Sequence, residues 1–356
     1  MIHTTVSGEK PDIPATMQAS VLMKQGVIDV QERPVPTCAH DEVLVRVASV
    51  GVCGSDAHYY REGRIGSFVV ESPIVLGHEA SGLIVAVGGG VSPDRVGQRV
   101  SIEPQRPDPT SDESRRGVYN LCPHMEFYAT PPIDGALCEY VTIQSSFAHK
   151  VSDAISDDAA ALFEPLSVGI ASARKAAITG GSSVLIAGAG PVGLVTAQVA
   201  RAFGATEVIV SDIAEGRRAN ALRFGATQAI DPAAEDVRAL RVDSFVDASG
   251  APRAVVDGIH AVAPAGRVVL VGMGGDEYAL PVSVIQNREL LLTGVFRYAN
   301  TWPTALSLVR SGAIDLDSMV TARFALPDVE KALNADREPG SIKAVVTLTP
   351  TQEELS

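Results

Sequence analysis

Cysteine is scarce in this chain, and its four residues form no regular framework. They lie far apart, at positions 38, 53, 122 and 138, unlike the closely spaced disulfide pairs of small secreted domains. Residues 1–16 are polar and lack the basic start and apolar stretch of a secretion signal. We therefore expect a cytoplasmic protein with reduced thiols.

Long apolar stretches and an excess of basic residues are also missing. The longest apolar run, residues 184–200, is interrupted by glycines, Pro191 and Gln198, so it does not predict a membrane-spanning helix. There are 29 Lys and Arg residues against 42 Asp and Glu residues, giving a formal net charge of −13. Such a charge does not offset nucleic-acid phosphates or anionic lipid headgroups. The sequence predicts neither a nucleic-acid partner nor a membrane partner.

The chain is long enough for two domains, and the pattern changes along it. Up to about residue 150, short β-branched runs alternate with Gly, Pro and Asp, which predicts a compact β-rich domain. From residue 183 strands and helices alternate, which predicts a parallel sheet with right-handed crossovers. The predicted strands are 43–47, 82–87, 99–102, 184–187, 207–210, 244–247, 267–271 and 290–293, and the predicted helices are 192–203 and 214–224.

After Gly294 the pattern is mostly helical until a final strand, residues 344–348, which needs a sheet to join. Return of this tail to the first domain is the simplest solution. The predicted fold class is α/β, with a β-rich domain at residues 1–166 and 294–356 and a doubly wound, Rossmann-type domain at residues 167–293.

A glycine-rich turn between a predicted strand and a predicted helix is typical of dinucleotide binding. Gly188, Gly190 and Gly193 form G-x-G-x-x-G, with Pro191 and Val192 inside the pattern. Glycines let the backbone approach a pyrophosphate, and the helix N-terminus offers free N–H groups. The alternative is a glycine-rich turn between a strand and a helix that binds no nucleotide.

Asp212 ends the next predicted strand, about 20 residues beyond the last glycine, where the fingerprint places an acidic residue. Its carboxylate would bind the ribose hydroxyls and repel a 2′-phosphate, which favours NAD over NADP. Arg217 and Arg218 weaken this argument unless they lie on a solvated helix face. Val271 and Gly272 mark a second backbone approach to the cofactor, or only the exit of a strand.

Thiol, imidazole and carboxylate groups cluster between residues 53 and 79. Cys53 and His78 are candidate zinc ligands, and a catalytic zinc takes three protein ligands and leaves one position open. Asp56 lies in an apolar segment, where exposure to solvent does not explain a charged residue. It is therefore a candidate for orienting a ligating histidine.

Together these segments resemble the zinc-dependent medium-chain dehydrogenases, in their sorbitol/polyol dehydrogenase branch, from residue 17 to residue 348. The matching segments in family order are residues 51–60, 76–82, 163–166, the glycine-rich turn and 294–298. The resemblance implies that the β-rich domain is GroES-like. It also implies a homo-oligomer, a tetramer first and a dimer second.

The resemblance implies Glu79 as the third zinc ligand, and Glu164 as a carboxylate that holds the metal-bound water or coordinates the metal itself. Which glutamate coordinates at rest stays open. It implies that Asp56 accepts the other ring N–H of His78, and that Ser55 and His58 form a proton relay. Without the resemblance, Ser55 could only cap a turn and His58 could simply be exposed.

A polyol site needs several inward polar groups, whereas a site for simple alcohols is apolar. Four residues resemble the branch's substrate-contacting set, with Phe127 as an apolar wall: Tyr59, Glu164, Arg297 and Tyr298. Phe296 is placed near the cofactor. The alternatives are a surface or interface ion pair for Arg297 and a core aromatic for Tyr59.

One departure from the family concerns a second, structural zinc that many relatives hold with four cysteines. Here Asp108, Ser111 and Ser114 occupy the first three of these positions, and only Cys122 remains. Serine is a poor zinc ligand, so we expect one zinc per subunit, at the catalytic site.

The sequence therefore predicts an NAD- and zinc-dependent enzyme that oxidises a secondary hydroxyl of an acyclic polyol, such as sorbitol or xylitol, to a ketose. The nearest alternative is a related dehydrogenase for threonine, a sugar or a butanediol. A relative that binds nucleotide without catalysis is the third possibility.

Overall fold

The computed structural model describes residues 13–275 and 277–348. Of the polar leader, residues 1–12 lie outside the described residues, and Thr16 opens the first strand. The strands in the described part are β1 (Thr16–Lys24), β2 (Val27–Pro34), β3 (Glu42–Gly51), β4 (Arg64–Ile65), β5 (Phe68–Val69), β6 (Ile74–Val75), β7 (Glu79–Val87), β8 (Arg99–Ile102), β9 (Gln105–Arg106), β10 (Glu126–Phe127), β11 (Tyr140–Gln144), β12 (Ala148–Lys150), β13 (Ser183–Ala187), β14 (Glu207–Ser211), β15 (Gln228–Ile230), β16 (Val242–Asp247), β17 (Val262–Leu270), β18 (Leu291–Gly294), β19 (Val320–Ala325) and β20 (Lys343–Thr347).

Helices connect most of these strands in the second half of the chain. In the described residues they are α1 (Gly54–Glu62), α2 (Asp112–Arg115), α3 (Asp157–Ala161), α4 (Phe163–Lys175), α5 (Pro191–Ala202), α6 (Glu215–Arg223), α7 (Pro252–Ala261), α8 (Val282–Asn287), α9 (Trp302–Arg310) and α10 (Val329–Asn334). No helix within residues 13–275 and 277–348 is both long enough and apolar enough to cross a bilayer.

The β-rich half is organised around β3. Across the described residues, its main sheet has the order β12-β8-β7-β3-β20-β19, and β11 also pairs with β3. β3 runs antiparallel to β7, β11 and β20. Its valines and leucine are buried, as expected for a strand with neighbours on both edges and cover on both faces. The predicted strands 43–47, 82–87 and 99–102 lie within β3, β7 and β8 and are confirmed.

The second half contains the predicted parallel sheet. In the described part of the chain its order is β15-β14-β13-β16-β17-β18, and each neighbouring pair is parallel. β13 is buried along four of its five residues, which fits a central strand with helices on both faces. β17 begins at Val262, earlier than the predicted start at residue 267. The prediction missed its first part because Pro264 and Gly266 are unusual within a strand.

The tail returns to the first sheet, as predicted. β20 lies between β3 and β19, antiparallel to the first and parallel to the second. β19 was not predicted, since every second residue of this strand is exposed and its apolar signal is weak. The tail therefore places the last described strand of the chain beside β3, whose end leads into the predicted metal segment.

Candidate active site

Helix α1 carries the predicted relay residues Ser55 and His58 and begins directly after Cys53, and its start is fixed by Asp56. The Asp56 carboxylate accepts the Cys53 backbone N–H at 3.0 Å, which caps the helix, and the Gly77 N–H at 2.9 Å. Its Oδ1 also lies 3.5 Å from Nδ1 of His78. One buried carboxylate therefore joins the beginning of α1 to the segment that contains His78. The helix was not predicted, because its sequence has little apolar periodicity.

Electrostatic attraction also links Asp56 and His78. Burial favours the uncharged forms of both groups, but their mutual attraction outweighs it: the pKa of Asp56 is lowered and that of His78 is raised well above its usual value. The imidazole is thus oriented by a negative charge at one nitrogen, as is usual for metal-ligating histidines.

Cys53, His78 and Glu79 are brought together although they come from α1's N-terminus and the start of β7. One potential ligand atom from each lies within 4.8 Å of the others, and within residues 13–275 and 277–348 this is the one such group of three. Glu79 is fully buried, and its Oε2 has no hydrogen-bond partner in the described structure. An orphaned buried oxygen beside a thiol and an imidazole suits a zinc ion.

Glu164 approaches the same place from helix α4 but lies outside that group of three. Its Oε1 accepts a 2.7 Å hydrogen bond from the hydroxyl of Tyr298. Burial is the main cause that raises the pKa of Glu164, to about 7, and the nearby Glu79 adds to it. Tyr298 is 1% exposed and does not line the cleft, so it contacts the predicted site through Glu164.

Arg297 lies between two aromatic rings beside the cleft. Its guanidinium carbon is 4.0 Å from the ring centroid of Phe127 and 4.7 Å from that of Phe296. Its Nη2 is 3.5 Å from Oγ1 of Thr130. Tyr59 is buried nearby, and burial raises its pKa to about 12. Arg297 is therefore a half-buried cation that lines a cavity. This placement differs from that of a surface ion pair.

A cavity of about 410 Å³ separates the two halves of the molecule and brings most predicted site residues together. Its lining includes Cys53, Ser55, His58, Tyr59, His78, Glu79, Phe127, Glu164, Gly190, Pro191, Val192, Val271, Gly272, Phe296 and Arg297. Ser55 is half-buried, whereas His58 is exposed and lies 3.3 Å from Glu62. The predicted residues Gly188, Gly193, Asp212, Arg217 and Tyr298 lie outside this lining.

The glycine-rich turn has the expected close packing. Gly190 precedes α5, with Pro191 at its first position, and Gly188 has φ +94°. A Cβ on Gly193 would lie 1.9 Å from the Gly188 carbonyl oxygen, so only glycine fits there. The helix N-terminus therefore opens beside the carboxyl end of β13, where dinucleotides bind in such sheets.

Asp212 follows β14 directly, next to this turn. Its carboxylate accepts the backbone N–H groups of Ala189 and Ala214, each at 2.9 Å. Nη1 of Arg218 donates to the Asp212 carbonyl oxygen and lies 3.3 Å from Oδ2 of Asp231, whereas Arg217 is exposed. Of the two arginines that weakened the NAD argument, Arg218 is thus already partnered by a carboxylate.

In residues 108–122, the lobe where many relatives hold a second zinc, the polar groups form hydrogen bonds with one another. Ser111 Oγ is 3.0 Å from Ser114 Oγ, and the Asp108 N–H donates to Cys122 Sγ at 3.3 Å. Oδ1 of Asp108 accepts two hydrogen bonds from Thr110. The groups at the four ligand positions therefore bond to neighbours in the lobe.

Sequence reasoning missed two residues of this region, Lys343 and Thr130. Nζ of Lys343, on β20, donates to Oε1 of Glu79 at 2.6 Å, and both residues are buried. Lys343 is distant in sequence and sits in an apolar strand, so no local spacing marks it. Thr130 lines the cavity beside Arg297. It precedes a Pro-Pro pair that resembles an ordinary loop.

Two family models match the chain in the order of its two halves. The model described as "Alcohol dehydrogenase GroES-like domain" matches residues 39–153, and "Zinc-binding dehydrogenase" matches residues 191–311. These matches confirm the predicted combination of a GroES-like domain and a Rossmann-type sheet.

Sorbitol dehydrogenases are among the curated relatives. That of Gallus gallus is 39% identical over 345 residues, which are 94% of this chain and 97% of the relative. That of Bacillus subtilis (strain 168) is 39% identical over 330 residues, covering 90% and 94%.

Solved structures with this fold differ in the activities and cofactors named for them. L-idonate 5-dehydrogenase of Escherichia coli K-12 has a TM-score of 0.89 at 28% identity, over 94% of this chain and 98% of that one. An alcohol dehydrogenase of E. coli CFT073 was solved with NADH (TM-score 0.89, 27%, covering 94% and 100%). A zinc-binding dehydrogenase of Sinorhizobium meliloti 1021 was solved with NADP (TM-score 0.87, 29%, covering 94% and 100%).

The family matches, the dinucleotide-type turn and the Cys53, His78 and Glu79 group agree in one respect: each is expected of an oxidoreductase that uses zinc and a nicotinamide cofactor. The protein belongs to the zinc-dependent medium-chain dehydrogenases, in their sorbitol dehydrogenase branch.

Proposed function

We propose that the protein oxidises a secondary hydroxyl of an acyclic polyol, of the sorbitol or xylitol type, to a ketose with NAD. The observation that supports this most is the half-buried guanidinium of Arg297 at the cavity, beside Thr130 and Tyr59. A cleft for a simple alcohol needs no such cation, whereas a polyol offers several hydroxyls to bind it. The sorbitol dehydrogenases among the relatives support the same substrate class.

For the metal we propose Cys53, His78 and Glu79 as ligands of one zinc, with Glu164 as a carboxylate that would hold the metal-bound water or coordinate the metal itself. Bound zinc lowers the pKa of the substrate hydroxyl. Ser55 Oγ would then accept the hydroxyl proton and pass its own proton toward His58, three residues further along α1, and the exposed His58 would release a proton to solvent. In the lobe with Asp108, Ser111, Ser114 and Cys122, the side chains at the four ligand positions bond to neighbouring groups, which supports a count of one zinc per chain.

For the cofactor we propose the glycine-rich turn, Gly188 to Gly193 with Pro191 and Val192, together with Val271, Gly272 and Phe296. Asp212 and Arg217 would lie at the adenosine ribose. The pairing of Arg218 with Asp231 supports NAD over NADP, because it leaves less free positive charge for a 2′-phosphate.

We also propose a homo-oligomer, with a tetramer before a dimer, and a reducing compartment such as the cytoplasm. β18 is an edge of the parallel sheet as described, and its Leu291 and Leu292 are exposed. All four cysteines are free thiols. Our division into residues 1–166 with 294–356 and 167–293 stays a proposal; the first boundary falls within α4.

A second candidate is a dehydrogenase for a sugar acid, a sugar, threonine or a butanediol. The match to L-idonate 5-dehydrogenase favours it, since that structure shares the fold over nearly the whole chain. The deciding experiment measures NADH formation by the zinc-loaded protein with a panel of alditols and, in parallel, with these other alcohols. Fastest turnover with an alditol is expected; turnover of the others alone would overturn the polyol assignment.

A further inference from the structure

The carboxylate of Glu79 is held at one oxygen and left without a partner at the other. Oε1 accepts the 2.6 Å hydrogen bond from Nζ of Lys343. Oε2 has no hydrogen-bond partner in the described structure, although Glu79 is 0% exposed. A buried unpaired carboxylate oxygen is costly, so a structure that retains one calls for a ligand there.

Glu79 and Lys343 meet across a strand to which neither belongs. Glu79 opens β7 and Lys343 opens β20, and both strands pair with β3 between them. Neighbouring strands are about 4.8 Å apart, so these two side chains must reach over β3 to touch. The β3 residue at this crossing is Gly51, which pairs with Glu79 on one side and with Val345 on the other.

Gly51 leaves the space that the Glu79 carboxylate occupies. A Cβ built on Gly51 would lie 2.1 Å from Oε2 of Glu79 and 3.0 Å from Cδ2 of Leu162. Since Leu162 is also buried, neither neighbour has free room to give way. Any other residue at position 51 would push away the oxygen that has no partner.

We propose that Gly51 and Lys343 are positioning residues for the metal ligand Glu79: Gly51 provides the space for Oε2, and Lys343 fixes Oε1, so that Oε2 is directed to the metal. This inference rests on the proposed zinc role of Glu79 and extends it to Gly51 and to Lys343, which also lines the cavity. Lys343 also compensates the buried charge, which would otherwise be unpaired in the metal-free protein.

The test measures zinc affinity directly, by competition of the purified full chain with a chromophoric chelator. Gly51→Ala and Lys343→Met are each expected to weaken zinc binding about 10- to 100-fold, the usual effect of losing a group that orients a ligand. Lys343→Arg, which keeps the cation, is expected to bind zinc more tightly than Lys343→Met. Matched controls are Gly180→Ala, where a Cβ meets nothing within 4 Å, and Lys331→Met, an exposed lysine.

A double-mutant cycle separates positioning from general damage. In a Glu79→Ala background, adding Gly51→Ala or Lys343→Met should weaken zinc binding no further, because the carboxylate that they position is gone. Wild-type affinity in both single variants, or an equal loss in the Glu79→Ala background, would overturn the inference. If Gly51→Ala does not fold, the Lys343 series tests the same carboxylate from its other oxygen.

The outcome is independent of the substrate assignment. A wild-type protein that binds zinc and follows this cycle, yet oxidises no alditol, supports the positioning roles and overturns the polyol proposal. A wild-type protein that binds no zinc overturns the proposed metal site and this inference with it.

Discussion

The hydroxyl of Tyr298 donates a 2.7 Å hydrogen bond to Oε1 of Glu164, and both residues are buried. Tyr298 thus acts on the cleft through a carboxylate that lines it. Hydrogen bonds to charged groups contribute about 1.5–3 kcal/mol. Tyr298→Phe is expected to lower kcat/KM for the preferred alditol about 10- to 100-fold.

Steady-state kinetics with the alditol, and separate titration with NAD, check this expectation. The NAD affinity should stay unchanged, because Tyr298 is buried and does not line the cavity. Tyr140→Phe is the matched control, a buried tyrosine of β11 remote from the cleft. Equal losses in both variants would remove Glu164 from the explanation.

Asp56→Asn is expected to weaken zinc binding about 10- to 100-fold while the fold is retained. The amide cannot supply the negative charge that orients His78, although it is nearly isosteric. Chelator competition measures the affinity, and Asp94→Asn, an exposed residue, is the control. Unchanged zinc affinity in Asp56→Asn would mean that Asp56 only caps α1.

Metal-free protein is expected to lose stability as the pH rises toward about 7 because of Glu164. Its folded-state pKa of about 7 lies above the ordinary 4.5, chiefly through burial. The folded state therefore binds more protons than the unfolded state between these values, and stability falls with increasing pH in that window. Urea unfolding of the metal-free protein from pH 4.5 to 7.5 tests this.

Glu164→Gln should flatten that dependence, since the amide does not titrate. A wild-type curve that rises with pH across the same window, or an unchanged slope in Glu164→Gln, would contradict the assignment to Glu164.

Asp212→Ser is expected to raise kcat/KM for NADP relative to NAD. Removing the carboxylate removes the repulsion of a 2′-phosphate, and the exposed Arg217 is free to approach it. The ratio of kcat/KM values for the two cofactors is measured with one alditol. Asp153→Asn, an exposed substitution, controls for the change in net charge. A ratio that does not move would leave Asp212 as a residue that only orders the Ala189 turn.

Cys122→Ser is expected to leave the zinc content at about one ion per chain, whereas Cys53→Ser should bring it close to zero. Elemental analysis of the dialysed proteins gives both numbers. Two tightly held zinc ions in the wild type, with one lost in Cys122→Ser, would show that the lobe containing Cys122 binds metal.

The ligand types could be predicted from sequence because Cys53, His78 and Glu79 lie within 27 residues and match a known pattern. Their support could not. Lys343 is 264 residues from Glu79, and a lone lysine in an apolar strand suggests an exposed edge until the sheet order is known. The role of Gly51 is likewise visible only once three strands are placed side by side.

Tyr298 illustrates a different limit. Its neighbours in sequence include Arg297, which faces the cavity, so adjacent residues suggested a shared orientation. Arg297 has φ 57°, a left-handed conformation, and the chain direction changes there. Tyr298 consequently turns into the core and Arg297 does not. Such a backbone conformation in a non-glycine residue leaves no clear mark in the sequence.

The central position of β20 affects the order in which the protein can be completed during synthesis. About 290 residues separate the end of β3 from the start of β20. At about 5–20 residues per second, the ribosome needs roughly 15–60 s to make them. The whole parallel sheet emerges in that interval, so it can fold first. Meanwhile the end of β3, residues 49–51, has one edge unpaired until the strand bearing Lys343 arrives, whereas β11 already pairs with residues 42–46.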